Sequence, residues 1–330
     1  TLDGTLFPYT TLFRSDIGIE PAQVRLFSMV ATPRSFNPNR IYIADKDNIC
    51  VYAVDPLTKN VVETFDLPFS TTPKTKTANN PFRPGNIAVH PNGNWVLTQR
   101  EASLLLTDVG LFSPTRRTSV QVYATTTALL ENANDNEAIR KDRGVAFRPD
   151  GRYCYVTSHA PSGLSILSVP DGIVASFSLV KFLPISTAKF VDLQVGEDGY
   201  IYIGDYDYAS KCFRRLNMFA PQNLVALENY SLPGWLTSPN KKAMAACTSR
   251  DGRRVYSVWE GAFIASSSSD NPADWGCAEI NYSTNPGGED IQDVQVSGDD
   301  KVVIATSKQG GGKTRIFAMP TELRGGTITT

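Results

Sequence analysis

A tight-turn signature recurs along this chain at a nearly constant interval. The copies are His90-Pro91-Asn92-Gly93-Asn94, Arg148-Pro149-Asp150-Gly151-Arg152, Gly196-Glu197-Asp198-Gly199-Tyr200 and Ser249-Arg250-Asp251-Gly252-Arg253. Ser297-Gly298-Asp299-Asp300-Lys301 is a decayed copy, and Phe36-Asn37-Pro38-Asn39-Arg40 an earlier one. Asn-Gly and Asp-Gly tolerate the positive φ angles of tight hairpins, so each copy predicts a strand, a turn and a returning strand. From Asn39 through Gly93, Gly151, Gly199, Gly252 and Asp300 the steps are 54, 58, 48, 53 and 48 residues. A chain with that period must stack similar units.

The segments beside the turns show what each unit holds. Arg40-Ile41-Tyr42-Ile43-Ala44-Asp45, Tyr153-Cys154-Tyr155-Val156-Thr157-Ser158 and Tyr200-Ile201-Tyr202-Ile203-Gly204-Asp205 come directly after their turns. They are rich in β-branched and aromatic residues, as strands are. Shorter apolar runs precede the turns, at 86–89, 144–147, 191–195, 244–247 and 291–296. Third and fourth strands are expected at 49–54 and 61–65 in the first unit, 164–169 and 173–179 in the third, and 314–319 and 326–329 in the last. Four antiparallel strands per unit, repeated at this period, is the pattern of a β-propeller. The chain is therefore read as all-β: one propeller domain of six four-stranded blades, with a seventh if residues ahead of Asp16 supply strands. Thr127 to Arg140 is the nearest approach to an amphipathic helix and is read as an insertion in a linker.

The third unit, from Val145 to Ser158, resembles the YVTN-type β-propeller repeat: an apolar strand, Pro-Asp-Gly, two spacers, then Tyr155-Val156-Thr157, with Ser158 in place of Asn. The other units keep the turn and depart from the signature, with Gly204-Asp205 and Val258-Trp259 where Thr-Asn would stand. The resemblance implies a propeller related to surface or periplasmic proteins, and hence a periplasmic or extracellular setting. It implies no single activity, because a propeller hosts many.

Thr5 to Ser15 reads as a translated short-read sequencing adapter, and Thr1 to Gly4 as an index segment joined to it. Residues 1–15 are accordingly expected to be foreign to the natural domain, which is taken as 16–330 and as open at its N-terminal side.

The formal net charge is −1, which argues against a broad nucleic-acid footprint. Lys74, Lys76 and Arg83, and Arg116-Arg117, are local basic groups read as loop charge. No apolar run approaches the ~20 residues that a spanning helix needs. Cys50, Cys154, Cys212, Cys247 and Cys277 are scattered and form no C-x-x-C pair. They are read as structural thiols.

In a propeller, the loops joining second to third strands share one end with the blade-to-blade connections. Those connections are long here and the opposite turns are short. Long loops on a rigid frame are where binding is placed. The loops contribute Asp45, Asp47, Arg100, His159, Asp205, Tyr206, Tyr208, Trp259 and Glu260, and a connection adds Trp235. Aromatic anchors among mixed charges suit a protein or glycan partner, so the favoured role is a non-catalytic recognition scaffold.

The alternative is a propeller hydrolase of lactones or small esters. Calcium-dependent propeller lactonases carry an Asn ahead of the turn strand and an acid after it. Arg143 and Ser158 stand at the matching places, so that ligand set is not carried over. Asn86, Glu289, Asp290, Asp45 and Asp205 offer oxygens near the channel mouth, which calcium prefers. No other cofactor is expected. His90 and His159 are the only histidines, too few and too far apart for a triad. Gly310-Gly311-Gly312-Lys313-Thr314 has the end of a phosphate loop, but a strand rather than a helix is expected after it. Asn229-Tyr230-Ser231 and Asn281-Tyr282-Ser283 are glycosylation sequons.

Overall fold

The structure, a computed structural model, describes residues 13–15, 26–32, 39–45, 49–56, 58, 60–67, 85–100, 103–125, 144–159, 161–172, 175–184, 190–196, 200–205, 213–217, 228–230, 243–249, 253–259, 263–268, 275–279, 290–296, 302–308 and 314–320. These residues are all-β, without a helix. Strand β1 (Phe13–Ser15) comes first. Sheet one holds β2 (Leu26–Ala31), β3 (Ile41–Asp45), β4 (Cys50–Val54) and β5 (Val61–Asp66). Sheet two holds β6 (Ile87–Val89), β7 (Trp95–Gln99), β8 (Ser103–Asp108) and β9 (Ser119–Ala124). Sheet three holds β10 (Val145–Phe147), β11 (Tyr153–His159), β12 (Ser162–Ser168) and β13 (Ser178–Pro184). Sheet four holds β14 (Phe190–Val195), β15 (Tyr200–Asp205), β16 (Phe213–Asn217) and β17 (Glu228–Tyr230). Sheet five holds β18 (Ala243–Thr248), β19 (Arg254–Trp259), β20 (Phe263–Ser268) and β21 (Trp275–Glu279). Sheet six holds β22 (Asp290–Val296), β23 (Val302–Lys308) and β24 (Thr314–Pro320), with β1 as its fourth strand.

Every pairing among the described strands is antiparallel, and each joins consecutive strands except that of β1 with β24. First strands of consecutive sheets lie against one another: β2 on β6, β6 on β10, β10 on β14, β14 on β18, β18 on β22, and β22 on β2. The arrangement is propeller-like.

The cores lie between sheets, not within them. Tyr42, Ala44, Val51 and Phe65 of sheet one meet Ile87, Val89, Val96 and Leu105 of sheet two. The other face of sheet two (Ala88, Leu97, Leu104 and Leu106) meets Val145, Phe147, Cys154, Val156 and Leu167. Sheet three's far face (Ala146, Tyr155, Leu164 and Ile166) meets Leu193, Ile201 and Ile203. This stacking explains the apolar runs. Every residue of β3 and β4 is buried, because neighbouring sheets cover both faces. The outer strand β5 alternates between exposed positions and half-buried ones, with Phe65 buried, because it lies at the rim.

The turns at 90–94 and 148–152 are built as their dipeptides demand; those at 36–40, 196–200, 249–253 and 297–301 lie wholly or partly outside the described residues. Gly93 and Gly151 have φ of 73° and 74°, and their amides donate to His90 O and Arg148 O at 2.8 Å. Asn92 Oδ1 and Asp150 Oδ1 each accept the amide two residues on, at 3.0 Å. These are Asx turns.

Some strand expectations change. The first unit gains an inner strand, Leu26–Ala31, beyond those its sequence predicts. The fourth strand of sheet three is Ser178–Pro184, not 173–179. Phe177 is buried, and its amide donates to Val122 O of sheet two at 2.7 Å, so the chain crosses to the neighbouring sheet before turning into its own. In sheet six Phe13↔Ala318, Arg14↔Phe317 and Ser15↔Ile316 fill the fourth position. The strand expected at 326–329 and the helical turn expected in 127–140 lie outside the described residues. Thr314, after the glycine run, opens a strand, which is not the context of a phosphate loop.

Candidate functional site

The ladders place equivalent residues of the six sheets on one footing. One register position in each second strand carries Tyr42, Leu97, Tyr155, Tyr202, Tyr256 and Ile304, opposite Val30, Ala88, Ala146, Gln194, Cys247 and Gln295. Tyr155, Tyr202 and Tyr256 are among the largest fully buried side chains. Burial pushes the phenols of Tyr42 and Tyr155 upward, so both stay neutral. Three residues further, at the end next to the second-to-third loops, the same positions carry Asp45, Arg100, Ser158, Asp205, Trp259 and Ser307. A core position that repeats therefore leads to an end position that does not.

At that end a second regularity appears. The inner ladders slip by one residue between Leu26 and Ser28, Phe190 and Asp192, Ala243 and Ala245, and Ile291 and Asp293. Each slip lies beside Asp45, Asp205, Trp259 or Ser307. A bulge breaks the alternation of side chains and re-aims the next one along the strand. The first paired position after it holds Ser28, Asp192, Ala245 and Asp293, where Asn86 and Gly144 stand in sheets two and three.

Several of these end groups are buried and engaged. Asp45 is 0% exposed, and its Oδ2 accepts from the Tyr52 hydroxyl at 3.0 Å. Burial pushes the Tyr52 phenol upward, with the Cys50 and Asp45 side chains adding to it, so Tyr52 remains the donor. Gln99 bridges two sheets: Nε2 donates to Thr157 O at 3.1 Å, and Oε1 accepts from the Gly144 amide at 3.0 Å. Arg100 is 8% exposed, and burial lowers its pKa. The Ser158 and Ser165 hydroxyls lie 3.3 Å apart. Asp293 Oδ1 accepts the Val294 amide at 2.8 Å.

Of the residues expected to form the binding loops, Asp45 and Arg100 are thus inside the sheet stack and not on open loops. His159, Asp205 and Trp259 are the last residues of their strands, at the expected end. Asp47, Tyr206, Tyr208, Trp235 and Glu260 lie outside the described residues, as do most of the long connections. Gln99 and Ser158, which begin their second-to-third loops in the sequence, join the same end with Thr157; the sequence does not show which of them turn polar groups toward a neighbouring sheet. Cys50, Cys154 and Cys247 are buried free thiols, and burial pushes the Cys154 thiol upward. Among the described residues no group of three His, Cys, Asp or Glu is placed to hold a metal ion, and no helix is long and apolar enough to cross a membrane.

The turn end is built differently. The His90 ring packs edge-on against Phe147, with centroids 5.0 Å apart, and Nδ1 accepts the Asn92 amide at 3.2 Å. The loop after β8 is braced by Asp108. Its carboxylate accepts from the Gly110 amide at 2.9 Å, from Thr115 Oγ1 at 2.6 Å and from Ser113 Oγ. Burial acts to raise this carboxyl, but the two hydroxyls, the amide and Arg116 outweigh it and hold it low. Arg116 and Arg117 both pair with Glu63 of sheet one, and the Arg117 guanidinium lies 4.4 Å over the Phe65 ring.

No protein-family model matches this chain, and no curated protein matches it.

Proposed function

We propose that this chain is a closed six-bladed β-propeller, related to the YVTN-type repeat family, that serves as a non-catalytic recognition scaffold for a protein or glycan partner. The binding end is the one that carries Asp205, Trp259 and His159 together with Asp47, Tyr206, Tyr208 and Glu260. Asp45 and Arg100 act beneath it, holding the loop bases.

One observation carries this reading. At a shared register position inside the stack, four of the six sheets use tyrosine; three residues on, they use Asp45, Arg100, Ser158, Asp205, Trp259 and Ser307. Packing asks the same of every sheet, so the interior repeats. A surface that reads a partner has to differ from sheet to sheet, and the variation is at that end. The YVTN kinship is supported by Tyr155-Val156-Thr157 after the Asp150-Gly151 turn. Closure is supported by the contact of β22 with β2.

A glycan array and a pulldown, each with the wild type, Tyr206→Ala and Trp259→Ala, test the reading. Loss of a wild-type ligand in either variant is the expected result. Ligand binding unchanged in both removes the site assignment. A calcium-dependent rise in thermal midpoint would instead favour a hydrolase using the channel mouth.

A further inference from the structure

Five of the six sheets take their fourth strand from the chain that follows their third. Sheet six does not: its fourth strand, β1, comes from the other end of the sequence. The two sides of β24 are filled unequally as a result. On its inner side β24 pairs with β23 at every residue from Thr314 to Pro320. On its outer side it meets β1 only at Ile316, Phe317 and Ala318. In sheet one, by contrast, β5 pairs with β4 from Cys50 to Val54, the whole of that strand. In sheet four β17 is as short as β1, but it is tied to its own sheet by the chain that leads from β16.

Backbone chemistry sets what such an edge can do. A strand with an open side presents N–H and C=O groups in fixed register, and an extended segment laid alongside satisfies them whatever its side chains. Three residues supply few ladder bonds, and each contributes little net of the water it replaces. Holding β1 in place also closes the chain between Ser15 and Leu26 into a loop, which costs entropy. A separate peptide that runs the full length of β24 makes more bonds than β1 does. In return β1 has the advantage of being tethered, which raises its effective concentration at the edge. The edge is thus guarded by a short strand of the same chain, and not sealed by it.

We infer that the outer edge of β24 is a strand-accepting site, which takes an extended peptide as an added antiparallel strand and has β1 as its resident competitor. The partner is defined by its backbone: about seven residues, matching the seven of β24, with no proline where an amide must face that strand. The site is at the fourth-strand position of sheet six, so it is separate from the second-to-third loops and does not depend on what they bind. A segment foreign to the domain would fill the edge by the same pairing as a native one, so the reading of residues 1–15 leaves the inference unchanged.

Fluorescence anisotropy with a labelled peptide of residues 11–17 tests it, because the register of β1 carries that peptide from Pro320 to Thr314. The protein is the full chain, as wild type and as the double variant Phe13→Pro, Arg14→Pro. Adjacent amides of a strand point to opposite sides, so the two prolines remove whichever amide faces β24. The double variant is expected to bind the peptide at least about tenfold more tightly than the wild type, whose edge is occupied. A peptide of the same composition in scrambled order should bind the variant within about threefold of the first, and one carrying the two prolines should not bind. If the double variant does not unfold cooperatively, Phe13→Gly with Arg14→Gly, which weakens the strand but keeps its amides, is read in its place. Equal binding to wild type and variant would put the peptide elsewhere and overturn the proposal. So would a variant that binds no peptide, or one that takes only the native order, since the edge would then be a closure private to this chain. A variant that dimerises without peptide in sedimentation velocity would assign the edge to a second copy and overturn it equally.

Discussion

The His90 ring lies so close to Gly151 that a β-carbon added there would stand 2.6 Å from His90 Nε2. Gly151 is the turn residue of sheet three and His90 opens the turn of sheet two, so this contact joins neighbouring sheets at their turn end. Gly151 also has φ of 74°, a conformation that side chains with a β-carbon adopt at a cost. Gly151→Ala is expected to lower stability by about 2–3 kcal/mol, from backbone strain together with displacement of the ring. The double variant with His90→Ala should recover the second part only. A double-mutant cycle by urea denaturation measures the split; strictly additive losses would show that ring and glycine do not interact.

The same ring makes the protein acid-sensitive. Burial lowers the His90 pKa from its usual 6.5, against the opposing hydrogen bonds with Asn92 and Gly151. Below pH 6.5 the unfolded chain therefore binds a proton that the folded chain resists. The stability tied to a neutral His90 is complete above that pH and is lost as pH falls toward the lower folded value. His90→Gln should flatten the dependence of thermal midpoint on pH between roughly pH 5 and 7. His159 is common to both proteins and cancels in the comparison. Parallel profiles would refute the assignment.

Gln99 holds sheets two and three together at the opposite end. Removing its carboxamide leaves the Gly144 amide and the Thr157 carbonyl without the groups that now meet them. Gln99→Ala is expected to cost about 2–3 kcal/mol, read as a lower urea midpoint at unchanged m-value. Gln99→Glu should do no better, because a carboxylate can accept from Gly144 but cannot donate to Thr157.

Glu63 joins sheets one and two through Arg116 and Arg117. Burial acts to raise its carboxyl, but the hydrogen bond and charge of Arg117, with Arg116, outweigh it and set the pKa below the usual 4.5. A carboxylate lowered in this way stabilises the fold above that pH, and the stabilisation fades as pH drops through the folded value. The side chain is 31% exposed, so solvent screening keeps the effect small. Glu63→Gln is expected to cost at most about 1 kcal/mol at pH 7, less in high salt, and nothing in acid. Thermal midpoints at neutral pH and in acid, with and without salt, check this; a loss that persists in acid would point to packing instead.

The turns at Gly93 and Gly151 and the apolar runs beside the recurring dipeptides were legible in the residues, because both arise from local rules. Asp-Gly and Asn-Gly select positive φ wherever they occur, and a run such as Ile41 to Ala44 is a strand in almost any setting. The repeat spacing then limited the architecture. The inner strand Leu26–Ala31 and the shifted fourth strand Ser178–Pro184 were not legible, because both are set by what lies alongside: β3 for the one, and the crossing of Phe177 to Val122 for the other.

The candidate site residues divide in the same way. That His159, Asp205 and Trp259 come at the ends of second strands was readable, since chain order alone fixes which loops share an end of an antiparallel stack. Tertiary structure decided that Asp45 and Arg100 lie inside the stack, that Gln99 spans two sheets, and that Phe112 stands out into solvent on a braced loop. No local pattern separates these outcomes. A polar residue at a strand end has the same neighbours in sequence whether the adjoining sheet covers it or water does. Only the packing of one sheet on the next determines which.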